Sequence, residues 1–201
     1  MNYLQIKYIF IFLLNLVSLL SKGQKLKPLN EIRLGKGTNN NLILHQDLSI
    51  SINPDSTWIY HIIEFKKNDN IVFVDSVDLA PDGFNFRLLK LNNKDDLILI
   101  VEAVYEYVSY YPVYILQQSK MKKIGNLNIR LDCKNCDALN YPLNDIVVKG
   151  NKNIIEFTFK EDLVHYEKPD YPKMKKNEVR FIYEIDNKIF KIENNTSTNK
   201  F

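Results

Sequence analysis

Cys133-Lys134-Asn135-Cys136 holds both cysteines of the chain. Two thiols at that spacing can close a disulfide, exchange electrons or help hold a metal. A redox role needs the first cysteine at a helix N-terminus, which depresses its pKa. Here the pair follows the strand-like Leu127-Asn128-Ile129-Arg130-Leu131, and no helical pattern begins after it. Zinc needs two further ligands, and no second C-x-x-C or H-x-x-x-H exists. In an oxidising compartment the default is a Cys133–Cys136 disulfide. His45, His61 and His165 do not pair at metal spacing, and His61 sits in an apolar run that suits a core histidine.

The motifs of common enzymes are missing. There is no G-x-S-x-G, no H-E-x-x-H and no glycine loop to cradle a phosphate. Glu102 and Glu106 share strand parity, but four residues of strand separate them by roughly 13 Å. That is too far for a glycosidase pair unless the strand bends, and a solvent-facing strand edge is the expectation. A Ser/His/Asp site assembled from distant segments stays open, because such sites are defined by geometry. No catalytic residue, metal ligand or cofactor is assigned.

Aromatic residues carry the strongest hint of recognition. Tyr105, Tyr107, Tyr110, Tyr111 and Tyr114 fall within ten residues, interrupted by Pro112. Tyrosine combines large area, few torsions and a polar tip, which suits binding surfaces; it also suits strands for packing reasons. Pro112 has no N–H to donate and marks an edge, a bulge or a turn. Tyr110, Tyr111 and Tyr114, with Trp58, are therefore the candidate binding residues, and Tyr110 and Tyr111 are expected partly in solvent. Asp55-Ser56-Thr57 and Asp75-Ser76-Val77 match a short pattern that some Gram-negative bacteria O-glycosylate in exported proteins.

The elements that must position these residues read as strands. Leu48, Ile50 and Ile52 alternate with polar residues, as do Ile155, Phe157 and Phe159, and Val179, Phe181, Tyr183 and Ile185. A period of two is that of a strand with one wet face. Trp58–Ile63 and Leu97–Val101 are apolar on both faces and read as central strands. Between the runs lie Asn53-Pro54-Asp55-Ser56, Lys67-Asn68-Asp69-Asn70, Asn92-Asn93-Lys94-Asp95 and Asp186-Asn187-Lys188. With only six glycines, Asn and Asp must supply most left-handed turn positions. The expected fold is all-β, an antiparallel meander forming a β-sandwich, with an open or closed β-barrel as the alternative.

The ends are read separately. Tyr8–Leu20 is an apolar run of about 13 residues reaching roughly 20 Å as a helix, short of the ~30 Å hydrocarbon core. Lys7 precedes it, and Ser21 and Gly23 follow as small residues suited to a signal peptidase. Residues 1–23 are thus expected to be a cleavable signal peptide, 24–41 a flexible leader arm, 42–193 a single all-β domain and 194–201 a disordered tail. Cleavage removes Lys7 and Lys22 and no acid, so the formal charge falls from +3 by two, to +1. A nearly neutral chain lacks the concentrated positive field that nucleic acid or an acidic membrane requires.

The expectation is a periplasmic or extracellular protein of a Gram-negative bacterium, not inserted stably in a membrane after cleavage. It would be a non-enzymatic binding protein acting through a protein–protein interface. One concrete form is an immunity-type protein against a periplasm-acting toxin. A glycan-binding module and a hydrolase with an unrecognised site are the alternatives.

Overall fold

A computed structural model describes residues 25–37, 42–54, 61–77, 84–91, 95–105, 108–127, 129–131, 142–165, 173–176 and 178–194. Residues 1–23, Trp58, Cys133, Cys136 and the tail beyond Asn194 lie outside them, and with them the signal peptide, the disulfide and the disordered tail.

The described strands are β1 (Lys27–Pro28), β2 (Asn30–Gly37), β3 (Leu42–His45), β4 (Leu48–Pro54), β5 (His61–Lys67), β6 (Asn70–Val77), β7 (Phe84–Lys90), β8 (Leu97–Tyr105), β9 (Val108–Gln117), β10 (Lys120–Leu127), β11 (Ile129–Leu131), β12 (Ile146–Gly150), β13 (Ile154–Phe159), β14 (Leu163–His165), β15 (Lys173–Met174), β16 (Val179–Glu184) and β17 (Ile189–Asn194). Among the described residues the helical content is one 3-10 turn, Pro142–Asp145. The strands form four antiparallel sheets, in the orders β10-β9-β8-β7-β2, β3-β4-β5-β6, β1-β12-β13-β16-β17 and β11-β14-β15. None of them closes into a barrel, and the all-β antiparallel class stands.

The sheet β10-β9-β8-β7-β2 is central because it is apolar on both faces. Along β8, Leu97, Leu99 and Val101 join one apolar cluster with Leu48, Ile50, Ile52, Ile63 and Phe65 of β4 and β5. Ile98 and Ile100 join a second cluster with Ile146, Val148, Ile155, Phe157 and Phe181 of β12, β13 and β16. The layering is sandwich-like, with a sheet against each face of the central one. Each fully buried aliphatic or aromatic side chain contributes about 1.5–3 kcal/mol, so β8 is tied to both neighbours. The double-sided pattern expected for Leu97–Val101 is present. Of Trp58–Ile63 only residues 61–63 are described, and there β5 has one wet face, with Ile63 buried and Ile62 exposed.

The segment 24–41, expected as a flexible leader arm, holds β1 and β2 instead. Pro28 does break it, but the break serves a change of sheet. Lys27 and Pro28 pair with Gly150 and Lys149 of β12, the buried Leu29 passes between layers, and β2 pairs with β7 along its length. The expected turn chemistry holds at Asn68 and Asp69, whose φ angles of 49° and 62° suit the two-residue hairpin between β5 and β6. Gln118 and Ser119 take the same conformation between β9 and β10, with φ of 50° and 63°.

Side chains join the layers at their edges. Arg33 on β2 donates from Nη1 to the carbonyl of Ile43 on β3. Arg87 on β7 donates from Nη1 to the carbonyls of Leu143 and Ile146, and its Nε lies 2.6 Å from Glu31 Oε2. That guanidinium ties β7 to the 3-10 turn and to the start of β12.

Candidate interaction surface

Two tyrosines of the run are core residues. Tyr111 and Tyr114 are 2% and 0% exposed and sit in the two different apolar clusters. The exposure expected of Tyr111 is overturned, and Tyr114, a candidate binding residue, is buried as well, because β9 is an inner strand of a sheet covered on both faces. The ring of Tyr114 lies 4.9 Å from Phe65 and 6.1 Å from Phe73, centroid to centroid. Tyr110 pairs through its backbone with Ala103 on β8; its side chain, like Trp58, lies outside the described residues. Pro112 stands in this inner strand, where the pairing of β8 with β9 lapses between Ile100↔Val113 and Ala103↔Tyr110. Glu102, expected at a solvent-facing edge, is buried and accepts a 2.5 Å hydrogen bond from Asn85 Nδ2. His61 is half-buried; its buried Nδ1 has no partner among the described residues.

A polar seam joins β6 to the central sheet. Asp75 Oδ2 accepts from the Tyr114 hydroxyl at 2.8 Å and from Lys123 Nζ at 2.9 Å. The Lys123 ammonium also lies 6.0 Å from the Tyr114 ring centroid, within cation–π range. Lys122, one residue earlier, points to the opposite layer and donates at 2.7 Å to the hydroxyl of the buried Tyr183. Two adjacent lysines thus fasten β10 to both of its neighbours. These bonds run between the layers.

Among the described residues, no group of three or more His, Cys, Asp or Glu is placed to hold a metal ion. No helix among them is long and apolar enough to cross a membrane.

Compared with protein-family models, curated proteins and solved structures, the chain matches none. Its reading rests on its own surfaces.

Two outer faces differ in character. On β13, β16 and β17, Arg180 holds Glu193 through Nε at 3.0 Å and Nη2 at 2.7 Å, and Glu156 through Nη1 at 3.3 Å. Lys191 bridges Glu184 at 2.6 Å and Glu193 at 3.1 Å. The hydrogen bond from Lys191 holds the Glu184 and Glu193 carboxyls below the usual glutamate range, and Glu184 in turn raises the Lys191 ammonium. This face is dominated by ion pairs, with one exposed aliphatic among the described residues, Ile189, paired across from Glu184 on the edge strand β17.

The outer face of β3-β4-β5-β6 is different. It presents Ile43, Ile62, Ile71 and Val74, which are 64%, 37%, 55% and 51% exposed. Its charges are Glu64 and Lys66, paired at 3.2 Å. The remaining outward positions on β4 are Ser49, Ser51 and Asn53. A bulge between Phe65 and Lys66 makes Val72 an extra residue, so Ile71 faces outward beside Lys66 while Val74 faces outward beside Glu64. Sequence reading passed over these residues because Ile71-Val72-Phe73-Val74 is an unbroken apolar run. The register set by the Asn68-Asp69 turn places Ile71 outward beside Lys66, but the bulge at Val72 reverses the parity beyond it, so the turn gives no signal for Val74.

Proposed function

We propose that this is an exported, non-enzymatic binding protein whose working surface is the outer face of the β3–β6 sheet, and whose partner is a protein. The observation that carries the reading is the four exposed aliphatic side chains on one sheet face, around a single charge pair. Apolar residues clustered on one exposed face mark interaction surfaces, whereas singly scattered ones do not. Exposed Ile and Val offer area without directional polar groups, which suits a protein surface better than a sugar. The glycan reading loses Tyr111 and Tyr114, which are buried. An immunity-type role against a toxin acting outside the cytoplasm is one form this binding would take.

The test is affinity capture from the cell's own envelope with the wild-type chain and with Ile71→Asp/Val74→Asp, followed by direct titration of the captured protein. Both substitutions lie at exposed positions and should leave the fold intact. A partner held by the wild type and released by the variant supports the reading. Equal retention by both places the interface elsewhere.

A further inference from the structure

The outward residues of β4, β5 and β6 form two adjacent rungs. One carries Ser49, Lys66 and Ile71 across the three strands; the other carries Ser51, Glu64 and Val74. A two-fold axis lying in the plane of the face, perpendicular to the strands and level with Phe65, exchanges the rungs between two copies. Lys66 then meets Glu64 of a second copy, Ile71 meets Val74 and Ser49 meets Ser51. Charge meets opposite charge, aliphatic meets aliphatic and small meets small. Such self-complementarity is the condition for an isologous contact.

We infer that the partner of this face is a second copy of the same chain, stacked face to face with its strands antiparallel. The inference rests on the proposed binding role of this face and names its occupant. The small, recessed Ser49 and Ser51 let the two sheets approach, and the Glu64–Lys66 pair within each copy becomes a four-charge cluster between copies. Strands of 4, 7, 7 and 8 residues spaced ~4.8 Å apart give a flat footprint of about 400 Å² per copy. Twice that falls under the roughly 1,200 Å² at the low end of standard interfaces. The dimer is therefore weak and exchanging, and the shared charges make it salt-sensitive.

The experiment is sedimentation velocity on the chain purified as its cell processes it, across about 1 µM to 1 mM, the range of weak affinities. The wild type should shift from monomer to dimer as concentration rises. Glu64→Lys sets like charges opposite each other at two symmetric places, as does Lys66→Glu. Each alone should weaken self-association about tenfold or more. Mixed together, the two variants place lysine opposite glutamate again and should associate as a heterodimer near wild-type strength. The double exchange Glu64→Lys/Lys66→Glu should also dimerise. Ile71→Asp should abolish association while circular dichroism stays unchanged. A wild type that stays monomeric throughout, or single variants that fail to rescue each other, overturns the second-copy inference. If the wild type is monomeric but Ile71→Asp still loses an envelope partner, the binding face stands and only its occupant is wrong.

Discussion

Tyr114 is where the buried-tyrosine reading can be tested most sharply, because its ring and its hydroxyl do separate jobs. The ring is fully buried between the central sheet and the β3–β6 sheet, against Phe65 and Phe73. Tyr114→Ala removes that ring and should cost about 3–5 kcal/mol, the usual range for a buried large aromatic. The hydroxyl donates to Asp75, which also holds Lys123. A hydrogen bond to a charged acceptor contributes about 1.5–3 kcal/mol. Asp75 keeps its lysine and some solvent access after Tyr114→Phe, so that variant should sit near about 1–2 kcal/mol. The assay is urea unfolding followed by far-ultraviolet circular dichroism, with both variants and a Tyr114→Phe/Asp75→Ala cycle. A coupling of about 1 kcal/mol between the two sites identifies the bond. Against a total stability of about 5–15 kcal/mol, the alanine variant should show a large loss of midpoint. If Tyr114→Ala falls within about 1 kcal/mol of the wild type, as surface substitutions do, the ring is not core and the two-sided central sheet is wrong.

Two further outcomes follow from named contacts. A Cβ on Gly125 would lie 2.5 Å from Phe190 Cδ1 and 2.6 Å from Cγ, so Gly125→Ala should destabilise by about 1–3 kcal/mol of overpacking, less a few tenths recovered from backbone entropy; in a Phe190→Leu background the same change should be nearly neutral, read by the same unfolding curves. The β16–β17 hairpin should depend on pH with a definite sign. Glu184 and Glu193 have depressed folded pKa values, so their support is complete above the unfolded glutamate value and is lost as pH falls through the folded ones. Lys191 is raised, so its share is full below the ordinary lysine value and fades at higher pH. Burial raises Asp145, so that residue opposes folding once ionised and favours it in acid. Amide exchange along β17 should therefore speed up in acid relative to β8, and unchanged relative protection would refute the role of the ion pairs.

The fold class was legible because one-faced strands write their geometry into sequence. Leu48, Ile50 and Ile52, then Ile155, Phe157 and Phe159, then Val179, Phe181 and Tyr183 are all buried as their alternation requires. Period alone could not say how many layers there are. A strand covered on both faces reads as a plain apolar run, and Leu97–Val101 gives no sign of which neighbour covers which side. The tyrosine run failed for the same reason. With both faces of β9 covered, Tyr111 and Tyr114 are buried whichever way they point. β2 was hidden by its glycines and Pro28, which made a strand entering the central sheet look like an arm. Lys123 gave no local signal either, since its partners Asp75 and Tyr114 come from other hairpins.

The contrast between the two outer faces carries the functional argument furthest. Both flank the same central sheet, and both are exposed. Where β13, β16 and β17 face water, Glu156, Arg180, Glu184, Lys191 and Glu193 bridge strand to strand, Ile182, which pairs with Glu156 and Lys191 across the ladders, is buried among them, and a single aliphatic among the described residues, Ile189, is left exposed beside Glu184. That is how a sheet face is kept solvated and unattractive to other sheets. Where β3–β6 face outward, the protection thins to one ion pair while Ile71 and Val74 remain more than half exposed. The bulge on β6 keeps both of them on that face; without it, residues three apart would point to opposite sides. Replacing Ile71 or Val74 by lysine would remove the exposed apolar area at little expected cost to folding. A face that needed only to meet water would have no use for them, and this one holds them beside a charge pair that can be satisfied equally well within the chain or across a two-fold.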